Sequence, residues 1–168
     1  MVVDQNFHKV KRYFLLIIFF LLFASKSYSN NYTFTKIVEL DEPWGSSFIN
    51  NNEIIITEKS GKIKIVNVFS KEVTEIKHNL NFLEVGQGGL LDIIHQDNIL
   101  WVSYSEDRGD SKTSTSIAKA QLNNQELDFK NIFQANPPID SGYHFGSRLV
   151  IKDDYIYASA GERGQGMI

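Results

Sequence analysis

His144 and Gln87 are the residues of this chain whose types and surroundings best suit chemistry. His144 lies in residues 141–149, SGYHFGSRL, between two aromatics and flanked by Gly142 and Gly146, just ahead of an apolar run. A free imidazole titrates near about pH 6.5, so a histidine held in such a loop can take a proton at neutral pH and act as a general base. A structural role suits an isolated histidine as well. Gln87 lies in residues 86–92, GQGGLLD, where glycines without Cβ atoms let a ligand approach the backbone and the side-chain amide can donate and accept. The plain alternative is a bulge leading into a strand. His78 and His95 fall in polar turns with no comparable setting.

Two further stretches are set aside. Residues 161–166, GERGQG, carry the glycines of a phosphate-cradling loop, but they follow a strand-type run and no helical pattern comes after them. Residues 105–111, SEDRGDS, gather three acids whose spacing misses the twelve-residue calcium loop, and a charged hairpin tip explains them fully. The chain has no cysteine, which removes disulfide scaffolds, thiolate metal sites, iron–sulfur clusters and cysteine nucleophiles. With 17 basic against 20 acidic residues it offers no polybasic surface for nucleic acid. Chemistry is left to carboxylates, histidine, tyrosine or an organic cofactor.

The elements that must position these residues read as all-β. From Trp44 onward, apolar residues come in short runs broken by Asn, Asp, Ser and Gly, with no sustained 3.6 period. Residues 53–58 turn at Ser60-Gly61 into 62–68 as a hairpin. A second set runs through 89–94, 99–105 and 113–122, and a third through 147–151 and 155–159. The stretches NEIIITE at 52, NILWVSYSE at 98 and DYIYASAGE at 154 share one form and recur 46 and then 56 residues apart. Those intervals suit the blades of a β-propeller better than the strands of an immunoglobulin-like sandwich.

Residues 13–24, YFLLIIFFLLFA, follow Lys9, Lys11 and Arg12 and precede the small, polar SKSYS. That order predicts a secretory signal peptide over residues 1–29, too short to span a bilayer permanently, and an exported domain from residue 30 to 168. Contact with a membrane is expected only through that segment. Its removal takes four basic residues and one acid, moving the net charge from −3 to −6.

Taken together, PWGSSFI at 43, ITEKSGKIKIV at 56, GQGGLLDI at 86, LWVSYSE at 100, SGYHFGSRLV at 141 and GERG at 161 resemble the successive motifs of the soluble aldose dehydrogenases that use pyrroloquinoline quinone, the glucose/sorbosone dehydrogenase family. The resemblance implies a six-bladed β-propeller, of which this chain holds the first two and a half to three blades, with the quinone and calcium bound over one end of the channel. It implies that His144 is the base that takes the proton of the sugar's anomeric hydroxyl as hydride passes to the quinone and a lactone leaves. Gln87 falls on a residue lining the cofactor and sugar pocket. The electron acceptor beyond the quinone is not indicated.

Three departures stand beside the resemblance. Tyr143 precedes the base where some members carry an acid, and Glu162 stands where relatives usually have Asp. The family's basic contacts to the quinone carboxylates and its calcium ligands belong to later blades, so no metal ligand is assigned among these 168 residues. Too few blades to close a ring predict that this sequence is the N-terminal part of a longer protein and is inactive alone. The rival reading is a secreted propeller that only binds a protein or glycan; a calcium-dependent lactonase lacks a convincing ligand set.

Overall fold

The computed structural model describes residues 32–123 and 125–166. The expected signal segment, residues 1–29, lies outside them. The chain divides into Met1–Thr35, of which residues 32–35 are described and carry no regular secondary structure, and Lys36–Ile168. Everything below concerns the second unit.

Its described residues form strands and no helix. The first four, β1 (Pro43–Phe48), β2 (Glu53–Glu58), β3 (Ile63–Asn67) and β4 (Val73–His78), make an antiparallel meander in sequence order. The β-branched residues of β2 and β3 suit a half-buried pleat, and asparagines close the turns. Asn50 Oδ1 accepts the backbone N–H groups of Asn52 and Glu53, and Asn67 Oδ1 those of Phe69 and Ser70. These side chains mimic a backbone turn and make the chain reverse.

The second sheet begins with β5 (Leu90–Gln96), β6 (Ile99–Asp107) and β7 (Thr113–Gln121). The two-residue β8 (Glu126–Leu127) then returns to pair in parallel with β4, and β9 (Lys130–Gln134) completes the second sheet against β7. A third sheet starts with the hairpin β10 (Gly146–Lys152) and β11 (Tyr155–Ala160). The first strands of consecutive sheets lie against one another, β1 on β5 and β5 on β10. Successive four-stranded meanders stacked through their first strands are the blades of a β-propeller. The three similar stretches of the sequence fall on β2, β6 and β11, the second strand of each blade.

The space between the first and second blades is an apolar core in which Ile55, Ile63 and Ile76 meet Leu90, Leu100 and Val102, all essentially inaccessible to water. At Gly45 the strands come so close that a Cβ would stand 2.6 Å from the Leu91 carbonyl oxygen, which only glycine permits. The second and third blades are joined by polar groups. The buried Asp92 carboxylate accepts the Leu149 N–H at 2.8 Å and the Ile93 N–H at 3.1 Å, Ser103 Oγ donates to the Ser147 carbonyl at 2.7 Å, and Thr115 Oγ1 donates to the Phe145 carbonyl at 2.8 Å.

Three local expectations need correction. His78 is not in a free turn: it ends β4, its Nδ1 accepts the Leu80 N–H, and its Nε2 donates to the Gly61 carbonyl at 2.6 Å. His95 lies in β5, with its N–H donated to Ser47 Oγ. The acidic stretch 105–111 is a hairpin tip only from Arg108 onward, because β6 runs through Asp107 and Glu106 within it is buried, accepting from Ser116 Oγ, Asn131 Nδ2 and Gln134 Nε2. Burial first, and then the charge of Glu106, push the neighbouring Tyr104 hydroxyl up to about 12.

Candidate functional site

Three loops meet at one end of the junction between the second and third blades: residues 85–89 leading into β5, residues 141–145 leading into β10, and residues 161–166 following β11. The structure brings the two sequence-predicted residues together. The backbone N–H of Gln87 donates to the Gly142 carbonyl at 2.7 Å, and the Gln87 side-chain Oε1 accepts the backbone N–H of His144 at 2.8 Å. The first two loops touch so closely that a Cβ on Gly86 would sit 2.5 Å from the Gly142 carbonyl oxygen.

His144 has a left-handed backbone, with φ of 48°. That conformation costs a residue bearing a Cβ on the order of 1–2 kcal/mol and persists only where its surroundings determine it. The imidazole stands more than half exposed. Its Nδ1 lies 2.5 Å from Glu162 Oε1, and Glu162 Oε2 accepts the Gly164 N–H at 2.6 Å. The Gly164 amide, and then the His144 hydrogen bond, hold the Glu162 carboxyl below the usual glutamate range. An ionised carboxylate can only accept, so the Nδ1 of a neutral His144 carries the hydrogen and Nε2 keeps its lone pair. The arrangement is therefore a proton acceptor with a carboxylate behind it.

Arg163 fixes the loops from below. Its guanidinium is buried, donates from Nε to the Tyr143 carbonyl at 3.0 Å, from Nη1 to the Thr113 carbonyl at 3.1 Å, and from Nη2 to Thr113 Oγ1 at 2.6 Å and to the Ser141 carbonyl, and lies 3.7 Å above the Phe145 ring. Burial draws its pKa below the ordinary arginine value. Ser141 Oγ donates back to the Arg163 carbonyl at 2.7 Å. Tyr143, pinned through its backbone, leaves its ring exposed and edge-on to His144, with centroids 6.3 Å apart. A groove of about 400 Å³ passes beside Glu162 and Arg163, but neither Gln87 nor His144 lines it.

Glu162 as the partner of His144, and Arg163 as the anchor of its loop, were not visible to sequence reasoning. The available signal was the charged pair between glycines at 161–164, which reads equally well as an ordinary surface turn. Nothing in the spacing says that this turn folds back on residues 141–145.

A quinone bearing carboxylates needs cations as well as a base. On this face Lys59 is engaged with Glu42 at 3.4 Å and Glu84 at 3.7 Å, Arg108 donates to Ser114 Oγ at 2.9 Å, and Arg163 is committed to the loops. The described residues offer His144 and the Gln87 amide to the reacting side of such a ligand, while Lys59, Arg108 and Arg163 are engaged with the protein itself. Among the described residues no three His, Asp or Glu side chains gather in a way that could hold a metal ion.

Comparison with known proteins agrees with this architecture. A relative in Escherichia coli K12, the aldose sugar dehydrogenase YliI, is 30% identical over 137 residues, which is 76% of this chain and 37% of that protein. The solved structure of the soluble aldose sugar dehydrogenase of Escherichia coli in its apo form superposes with a TM-score of 0.70 at 31% identity, over 75% of this chain and 39% of that one. The PQQ-bound form of the aldose sugar dehydrogenase of Streptomyces coelicolor shares the fold, with a TM-score of 0.65 at 21% identity over 75% of this chain and 40% of that one. The chain therefore spans about 40% of the length of the proteins it matches. The family model for glucose/sorbosone dehydrogenase matches residues 40–167, and the chain belongs to that family.

Proposed function

We propose that the protein to which this chain belongs is an exported, quinone-dependent aldose dehydrogenase, and that this stretch supplies its proton acceptor. The observation that carries the reading is the His144–Glu162 pair, which leaves Nε2 of an exposed imidazole free on a backbone held by Gln87.

In this reading His144 Nε2 takes the proton of the anomeric hydroxyl while the anomeric C–H departs as hydride and the C–O bond becomes a carbonyl, giving the lactone. Pyrroloquinoline quinone, bound together with calcium, would supply the acceptor for that hydride. Glu162 keeps the imidazole in the tautomer that can accept and stabilises the imidazolium that results. The Gln87 amide, whose oxygen accepts from the His144 N–H, keeps its N–H donors for a ligand. The cationic contacts to the quinone carboxylates and the calcium ligands are assigned to parts of the propeller outside the described residues. Export rests on the basic and apolar order of residues 9–29.

The full-length protein, supplied with quinone and calcium, is expected to reduce an artificial dye with at least one aldose. Absence of turnover with every aldose tried would leave the rival, a propeller that only binds, for which the exposed ring of Tyr143 speaks.

A further inference from the structure

We infer that Gln87 is a positioning residue for His144, acting on its backbone across two blades; this rests on the reading of His144 as the base. Gln87 and His144 are 57 residues apart and belong to loops leading into different blades. The direction of the bond is fixed by chemistry: a backbone N–H can only donate, so the glutamine must present its oxygen. With the bond from the Gln87 N–H to the Gly142 carbonyl, the residue grips the loop on both sides of Tyr143.

The grip matters because of the conformation it holds. His144 is left-handed at φ of 48°, which ordinary backbone energetics disfavours. Rotation into the common extended region would swing the imidazole away from Glu162. Glu162 restrains the ring from Nδ1, Arg163 restrains the preceding residue through the Tyr143 carbonyl, and Gln87 holds the backbone N–H of His144 itself, which the other two leave alone. Losing it frees the backbone while both other restraints survive, so the geometry of the base loosens without the loop unfolding.

The test compares full-length wild-type protein with Gln87→Met, which keeps the length and removes the acceptor, and Gln87→Glu, which restores an acceptor and removes the amide donors. For Gln87→Met the expected result is a fall in kcat of about 10–100-fold with KM changed less than about threefold, as for a reacting group displaced by a fraction of an ångström to an ångström. Gln87→Glu keeps an acceptor for the His144 N–H but removes the donors offered to a ligand, so it is read by exchange and not by kcat. Hydrogen exchange at the His144 amide, read by NMR on the same proteins, is expected to quicken at least about tenfold in Gln87→Met and to stay slow in Gln87→Glu, as it would for an amide that loses or keeps its acceptor. A raised KM with unchanged kcat in Gln87→Met, or unchanged exchange, overturns the positioning role. If wild-type protein oxidises no aldose, the dehydrogenase reading fails separately and the exchange result alone decides whether Gln87 holds His144. If Gln87→Met does not fold, Gln87→Glu decides through the amide alone: slow exchange supports the role, and exchange quickened about tenfold or more contradicts it.

Discussion

The junction between the first and second blades and the junction between the second and third are built from different chemistry. The first packs around an apolar core, with Ile63 and Leu100 wholly out of reach of water, and its polar links, such as Thr57 Oγ1 to the Leu91 carbonyl and the His95 N–H to Ser47 Oγ, lie beside that core. The second is stitched by Asp92, Ser103 and Thr115, capped by the Arg163 cluster, and carries the candidate site at its end. Apolar contact is non-directional and tolerates small shifts, whereas a hydrogen bond to a buried donor fixes a position to a fraction of an ångström. The strong side of the molecule is built for cohesion and the site side for placement. A base that must meet a hydroxyl within hydrogen-bond reach belongs on the second.

The contrast can be broken by substitutions on either side. The largest effect is expected at His144. His144→Ala should lower aldose turnover about 10²–10⁴-fold, the usual contribution of a general base, while quinone affinity stays within about threefold; full activity in the variant would remove His144 from its role. In the apolar junction Leu100→Ala should cost about 2–5 kcal/mol in denaturant unfolding and leave the turnover of the folded molecules near normal. At the polar junction Asp92→Ala leaves the Leu149 and Ile93 N–H groups without their acceptor, for a loss of about 1–3 kcal/mol, and should also lower kcat, since β10 carries the loop that ends in His144 and Phe145. A purely thermodynamic effect of Asp92→Ala, with kcat untouched, would erase the distinction between the junctions.

The smallest effect is a titration. The folded pKa of Glu162 is lowered, so the stability its contacts bring is present above the ordinary glutamate value of about 4.3 and is lost as pH falls through the lower folded value. The Glu162 carboxyl carbon, followed by NMR, should therefore titrate below about pH 4.3, and Glu162→Gln should leave the rest of the spectrum in place.

Much of the blade plan was legible because the second strands, β2, β6 and β11, combine β-branched or aromatic residues with Asn- and Asp-bearing turns. The outer strands were not. VTEIKH in β4 buries one residue and KNIFQ in β9 none, so neither carries an alternation of apolar and polar residues that marks a buried face. Gln87 and His144 could be singled out because glycines surround them and because the ordered motifs resemble one family. The pairing of His144 with Glu162 was hidden by the β10–β11 hairpin between them, whose closure turns a separation of 18 residues into contact. Arg163 was hidden for another reason: an arginine in a glycine-rich turn looks solvated, and only the fold shows that Thr113, Ser141 and Tyr143 supply oxygens around it.

In its neutral form His144 carries its hydrogen on Nδ1 and leaves Nε2 free, because the Glu162 carboxylate can only accept. Nitrogen-15 NMR of the histidine-labelled full-length protein, at a pH above the imidazole range and with His144→Asn to assign the signals, reads this directly. A protonated Nδ1 and an unprotonated Nε2 are expected for His144, and a hydrogen found on Nε2 would contradict its pairing with Glu162.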